Sequence, residues 1–322
     1  MSLTDRIRAL VLRSPNDPEV RGVYADALLE AGDPRGTFVA LQSQLTGRLS
    51  PDARETAKRE ADDLLRLHGD DWIEPVRGWA EVRWKSGFIH AIRAKASDFA
   101  VKGGALLAVE PVLEVTLTDA KDAELRSLAE TAALARVDSI SILGAFTDKG
   151  AAALLESAHV SGVKALNFSG GSLGPAFGAA ASKLRSLRSL CITGMGMGDD
   201  GAAALVKGEL PHLERLYLAR NELSDEGVTA LTSARAAAHL KTLCVGGNEL
   251  SDESGVALAA AKALGELVQL EIDATEIGDE GVLAIAKSRT LRSLKRLGLG
   301  RLDIGKTTRA ELGKHKGLQI SW

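Results

Sequence analysis

The sequence is short of aromatic residues: Phe, Tyr and Trp fill only 4% of its 322 positions. A chain this long with so few rings must build its core from Leu, Val, Ile and Ala, which argues against a compact globule packed around Phe and Trp. Cysteine is nearly missing as well. Two thiols cannot staple a secreted scaffold, and they are too few for a cysteine-rich zinc site. Positive charge is not in excess: 40 Lys and Arg against 43 Asp and Glu give a net charge of −3, which excludes a globally basic nucleic-acid binder. No charge-free run reaches the roughly 18 residues of a membrane helix. Asp5, Arg6, Arg8 and Arg13 interrupt the stretch where a signal-peptide core would lie. The expectation is a cytoplasmic protein with neither a membrane nor a nucleic-acid partner.

What the chain does contain is a repeat. Residues 137–150, 187–201, 213–227, 240–255, 267–281 and 294–307 align on one another, with weaker members at 112–117 and 163–168 and a truncated one at 318–322. The starts advance by 24 to 27 residues. The shared form is L-x-x-L-x-L-x-x-N/x-x-[LI]-[SG]-D-E-G, followed by a stretch rich in Ala and Leu.

Each part of the unit has a physical meaning. The L-x-L alternation, as in Leu216 and Leu218, marks a short strand with one buried face. Leu223, Leu250, Ile277 and Ile304 return the chain to the same core. Ser224-Asp225, Ser251-Asp252 and Gly278-Asp279 stand where a helix begins, with acidic residues in its first turn. The Asp-Glu pairs at 225–226, 252–253 and 279–280 recur with the unit, so they read as helix-start acids rather than acid/base machinery. One strand and one helix cannot bury their own apolar faces, so neighbouring units must stack. Strands stack at about 4.8 Å and helices at about 10 Å, so the sheet side curves inward.

On these residues the chain resembles the leucine-rich repeat proteins, of the helix-bearing kind similar to ribonuclease-inhibitor-like repeats, and the D-E-G-[VA]-x-[AL]-L wording is similar to bacterial GALA-type repeats. The resemblance covers residues 112–322 and implies an α/β solenoid: a curved parallel sheet inside, helices outside. Asn221 and Asn248 hold the family's Asn position, whereas Ala145, Gly171, Met195, Thr275 and Leu302 replace it, so hydrogen bonding on the turn side is irregular.

Residues 1–70 read as four helices, over 4–12, 19–31, 35–45 and 52–68, with Asp17-Pro18, Asp33-Pro34 and Ser50-Pro51 as starts. The wording YADALLE at 24–30, GDPRG at 32–36 and FVALQ at 38–42 resembles the bacterial repeat-companion domain that precedes such repeats. Residues 84–89 (WKSGFI) look like that family's joining strand. The resemblance implies architecture and carries no reaction. Tyr24, Asp26 and Arg35 are expected to form a buried hydrogen-bonded set. Residues 71–111 form a Trp-rich junction, with Trp72, Trp79 and Trp84 clustered as a cap over the first repeat and Trp322 at the other end. The remaining aromatics are expected chiefly at these ends.

Residues 300–307 (GRLDIGKT) match the phosphate-loop pattern, in which backbone N–H groups and a lysine surround phosphates at a helix start. The match lies in register with the repeat. Leu302 and Ile304 take core-facing turn positions, and Gly305-Lys306 take the slot of Gly278-Asp279. A nucleotide-binding enzyme built on Gly300 to Thr307 is therefore the minor alternative. The six histidines (68, 90, 159, 212, 239 and 315) are scattered with no ligand spacing, so neither a metal nor another cofactor is expected.

Cys191, Tyr217 and Cys244 each lie between the two core positions of their strands, on the concave face. Two strand spacings hold the two cysteines about 10 Å apart, beyond disulfide reach. Small polar residues dominate this face, Arg215 and Tyr217 are types that carry interface energy, and Glu271 with Asp273 form an acidic edge beside them. The expected function is a non-enzymatic, monomeric module that binds a partner protein through Arg215, Tyr217, Cys191, Cys244, Glu271 and Asp273. Fold-level analogy adds a regulator of a partner enzyme or small GTPase as the alternative.

Overall fold

The computed structural model describes residues 3–315 and 317–322. The chain divides into two units, residues 1–118 and 119–322.

The first unit opens with four helices, α1 (Leu3–Arg13), α2 (Pro18–Glu30), α3 (Pro34–Leu45) and α4 (Pro51–Trp72). Three start alike. A side-chain oxygen of Asp17, Asp33 or Ser50 accepts a hydrogen bond from a backbone N–H of the first turn, and a proline follows where no N–H is needed. α4 runs four residues past the expected end. Residues 84–89, expected as one strand, are instead the bend of a hairpin: β1 (Ala80–Lys85) pairs antiparallel with β2 (Phe88–Lys95). Ser86 and Gly87 turn with φ of 53° and 82°, the left-handed geometry that joins twisted strands tightly. Helix α5 (Ala96–Leu107) follows, then β3 (Glu114–Ala120), parallel to β2.

The first unit's core corrects two expectations. Asp26 is exposed and takes no part in a buried set. The buried Tyr24 hydroxyl accepts from Arg8 Nε at 3.2 Å, while Arg35 Nη2 lies 2.7 and 2.9 Å from the two Glu110 carboxylate oxygens. Ile89 N–H donates to the same carboxylate at 3.1 Å. Burial pushes the Glu110 carboxyl up, against the pull of Arg35. Among the tryptophans, Trp72 and Trp84 meet at 6.1 Å and both pack on Phe38, whereas Trp79 stands apart and donates to the Pro75 carbonyl.

The second unit repeats strand, turn and helix. Its strands are β4 (Ser139–Gly144), β5 (Ala165–Ser169), β6 (Ser189–Ile192), β7 (Arg215–Tyr217), β8 (Thr242–Cys244), β9 (Gln269–Glu271), β10 (Arg296–Gly298) and β11 (Gln319–Ser321), all parallel and each paired with the next in order. The register lines up one apolar column, from Leu166 through Leu190, Leu216, Leu243 and Leu270 to Leu297, each no more than 2% exposed. Helices α6 (Asp122–Ala129), α7 (Asp148–Leu155), α8 (Pro175–Ala181), α9 (Gly198–Val206), α10 (Asp225–Ser233), α11 (Asp252–Ala260), α12 (Asp279–Ala286) and α13 (Lys306–Leu312) bury residues such as Leu205, Leu231, Leu258 and Ile285 against that column. They therefore cover one face of the sheet and leave the other open. Phe146, Phe168 and Phe177 pack edge-to-face within this core at 5.6 and 5.0 Å, so rings are not confined to the ends.

The irregular Asn position has the expected effect. Asn248 Nδ2 donates to the carbonyls of Leu218 and Val245 (2.9 and 2.7 Å), and its Oδ1 accepts from the N–H groups of Asn221 and Leu223. Thr275, in the same position, makes only local bonds, donating to the Ile272 carbonyl at 2.8 Å and accepting from the Ile277 N–H at 3.5 Å.

Candidate functional site

The open face is set by strand alternation. Between the buried leucines, the register places Asn167, Cys191, Tyr217, Cys244, Glu271 and Gly298 side by side across six strands. Two residues earlier along each strand come Ala165, Ser189, Arg215, Thr242, Gln269 and Arg296. Arg215 is exposed; Tyr217, Cys191, Glu271 and Asp273 are half-buried. The register thus places Arg215, Tyr217, Cys191, Cys244 and Glu271 on one sheet face, whereas Asp273 lies two residues past the end of β9.

Three positions on that surface are buried: Gly298, which has no side chain, and two others. Thr242 and Cys244 are each 8% exposed, because they sit low between the taller side chains of β7 and β9. Burial, with the nearby charges of Glu271 and Asp273, pushes the Cys244 thiol up to about 11. It therefore acts as a small packing residue. Both thiols are free.

Beyond the strand ends lies a cleft of about 390 Å³. Glu271 and Asp273 line it together with Gly246, Gly298, Gly300, Arg220, Arg301 and Trp322. The last three line the cleft at positions that strand alternation does not reveal. Arg220, Gly247, Ala274 and Arg301 occupy one position in four successive repeats, and all have positive φ: 55°, 68°, 55° and 64°. Side chains there follow the left-handed turn rather than the pleat, so a period of two misses them. The repeated appearance of one position just after each strand is the signal that could have found them. Trp322 is held by Arg309, whose guanidinium carbon lies 4.4 Å from the ring centroid.

The helix starts on the covered side are occupied by the protein itself. The first-turn aspartate of one repeat accepts hydrogen bonds from the helix start of the next. Asp122 accepts from Thr147 N–H and hydroxyl, Asp148 from the N–H groups of Gly174, Ala176 and Phe177, and Asp199 from Ser224 N–H and hydroxyl. Asp225 does the same for Ser251 and Ser254, Asp252 for Gly278 and Gly281, and Asp279 for Gly305. The series breaks once, where Pro175 stands in place of the aspartate at the start of α8.

This arrangement bears directly on residues 300–307. The Gly305 N–H points at the Asp279 carboxylate, 2.9 Å away. Leu302 N–H donates to the Leu299 carbonyl and Ile304 N–H to the Leu302 carbonyl. A carboxylate already stands at the Gly305 amide where a phosphate would sit, and the Leu302 and Ile304 amides are engaged as well. Among the described residues, no three His, Cys, Asp or Glu side chains are grouped as metal ligands, and no helix is long and apolar enough to cross a membrane.

A family profile described as Leucine Rich repeat matches residues 209–231 and 236–259. These stretches hold β7 with α10 and β8 with α11. No curated protein matches the chain. Similar solved structures include an internalin (inlF) from Listeria monocytogenes, at 21% identity and a TM-score of 0.45, covering 65% of this chain and 53% of that one. A protein from Bacteroides fragilis matches at 17% identity with a TM-score of 0.50, covering 83% of each chain. This chain therefore spans about half the length of the internalin, and the Bacteroides protein shares its fold. The helical start of the first unit fits the repeat-companion resemblance. The unit matched at 209–259 is the one that recurs from β4 to β11, so the second unit has a leucine-rich-repeat fold.

Proposed function

We propose that this chain is a non-catalytic protein-binding module that uses the open sheet face of its repeats. The observation that carries this is the exposed Arg215 beside the half-buried Tyr217, mid-sheet, on a face that none of the unit's helices covers. Arg and Tyr are the residue types that dominate binding energy when a partner desolvates them. Strands β5 to β10 are each hydrogen-bonded on both sides, so the surface is pre-ordered and loses little conformational entropy on association. The module is taken to act as a monomer in the cytoplasm without a cofactor.

A buried thiol pushed up to about 11 is a poor nucleophile, and the Gly305 amide is already bonded to Asp279; both favour binding over catalysis. The test is affinity capture from the native host with the wild-type chain and with Arg215→Ala/Tyr217→Ala. Partners retained by the first and lost by the second support the proposal. A partner set unchanged by the double substitution contradicts it. Assaying captured enzymes with and without the chain separates a scaffold from a regulator.

A further inference from the structure

Along the edge where the chain enters the strands of the second unit, one position is apolar ahead of every strand from β4 to β10. Val137, Val163, Leu187, Leu213, Leu240 and Leu267 each stand two residues before a strand, and none is more than 3% exposed. Leu294 holds the same position before β10 but is only half-buried. The pairing of β10 with β11 puts Gly317 in the next place, where a methyl would meet no atom within 4 Å beyond its own chain neighbours. Leu318, one residue on, is half-buried as well. The stack of apolar side chains therefore stops short over Leu294 and leaves a second cleft of about 500 Å³, lined by Leu291, Leu294 and Leu318.

The rim of this cleft is cationic. One residue before each strand, carboxylates and cations meet across neighbouring repeats: Lys164 lies 2.9 Å from Asp138, and Glu214 lies 3.8 Å from Arg188 and 3.0 Å from Lys241. Val268 then interrupts the series, and the register sets Lys295 between Val268 and Leu318. Lys295 and Arg292 are exposed and line the cleft with His315. Among the described residues neither of these two side chains forms an ion pair or hydrogen bond, and no Asp or Glu lines the cleft. The imbalance extends beyond it: residues 287–322 hold ten Lys and Arg against two Asp and Glu, in a chain of net charge −3.

We infer that this cleft docks an acidic segment of a partner protein, which sets one apolar side chain against Leu294 and Leu318 and its Asp or Glu side chains against Arg292 and Lys295. This is a binding surface separate from the open sheet face. The apolar side chain takes the place that a leucine or valine fills in the inner repeats, and covering Leu294 gains the burial that its counterparts already have. Charge complementarity selects the flanking residues: the two cations meet no carboxylate of their own, so an acidic partner is steered to them and a basic one is repelled. The floor selects protein over nucleic acid. A phosphate backbone gains nothing from leucine, and among the described residues no Phe, Tyr or Trp lines the cleft to stack a base.

The test uses the full chain and fluorescein-labelled short peptides in a Gly/Ser background, read by fluorescence anisotropy beside labelled oligo-dT. One peptide has a central Leu flanked by Glu, the second a central Leu flanked by Gln, and the third a central Ser flanked by Glu. The Glu-flanked Leu peptide is expected to bind about tenfold or more tightly than the other two and than oligo-dT. Arg292→Gln/Lys295→Gln should erase most of that advantage while the circular-dichroism melting curve stays that of the wild type. Gly317→Leu, which fills the open place without touching a charge, should weaken binding similarly with no loss of melting temperature. Arg215→Ala/Tyr217→Ala should leave it unchanged, so this cleft can fail while the open-face proposal stands, and the reverse. The inference is overturned if the three peptides bind alike, if none binds, if oligo-dT binds as tightly as the Glu-flanked Leu peptide, or if either cleft variant binds like the wild type. Loss of peptide binding in Arg215→Ala/Tyr217→Ala would also overturn it, by moving the acidic segment to the open face.

Discussion

The Asp225 carboxylate lies 3.0 Å from the Ser251 amide nitrogen and 2.6 Å from the Ser251 hydroxyl oxygen, and it also accepts from Ser254, so the first turn of one helix closes the first turn of the next. A residue that looks like a cap for its own helix is a tie between repeats. The same link recurs at Asp122, Asp148, Asp199, Asp252 and Asp279. Through it, sequence neighbours 25 or 26 residues apart share their helix-start hydrogen bonding.

Asp225→Ala removes this tie and leaves the Ser251 and Ser254 amides without acceptors. A loss of about 2–3 kcal/mol is expected in urea denaturation. Asp279→Ala frees only the Gly305 amide and should cost about 1 kcal/mol. Equal losses at both sites would count against a tie whose strength follows the number of bonds.

Acid should reveal the same ties. Burial alone would raise the Asp225 pKa, but hydrogen bonds from Ser251 and Ser254 outweigh it and hold the group below the usual carboxylate range. Asp122 is held low by the Thr147 N–H and hydroxyl. With the folded pKa depressed, the stabilisation is present above the unfolded value of about 3.9 and is lost as pH falls through the folded one. Urea midpoints measured from pH 6 to pH 3 should fall more steeply for the wild type than for Asp225→Asn.

In the first unit, the Arg35–Glu110 pair is buried, with side chains 12% and 4% exposed. Arg35→Ala leaves a carboxylate in the core and should destabilise the unit by about 3–5 kcal/mol in chemical denaturation. Arg35→Met/Glu110→Leu, which removes both charges, should recover most of that loss. Failure of the double substitution to recover it would assign the damage to packing rather than to the orphaned charge.

The two thiols should differ in reactivity. With its pKa at about 11, Cys244 is only about 0.1% thiolate at pH 8, and it is buried. Iodoacetamide at that pH should modify the half-buried Cys191 first, as read by peptide mass spectrometry. Faster labelling of Cys244 would contradict the packing described for β7 to β9.

Calorimetry with ATP or GTP should show no binding to the wild type. Micromolar binding abolished by Lys306→Ala would mean that the Asp279–Gly305 bond gives way to phosphate.

The repeat was legible because its signals are local: Leu216 and Leu218 alternate with period two, and Ser224-Asp225 marks a helix start within a few residues. What escaped depends on neighbours far along the chain. The partner of Arg35 is Glu110, 75 residues away, so the nearby Asp26 was the wrong companion. Whether Cys244 is accessible depends on the heights of Tyr217 and Glu271 on the adjoining strands, which its own repeat does not encode. Arg220 and Arg301 reach the cleft because their backbone is left-handed, where alternation no longer tells direction. The hairpin turn at Ser86-Gly87 did have a local signal, the Ser-Gly pair inside an apolar run.

The central claim is that partners meet the open sheet face, and a photo-crosslinker tests it most directly. One copy of the chain would carry p-benzoylphenylalanine at Tyr217, and another would carry it at Lys262, which is exposed at the end of the helical side of its repeat. Irradiation in the native host should yield a discrete protein adduct from position 217 and none from position 262. An adduct from 262 alone would contradict the claim.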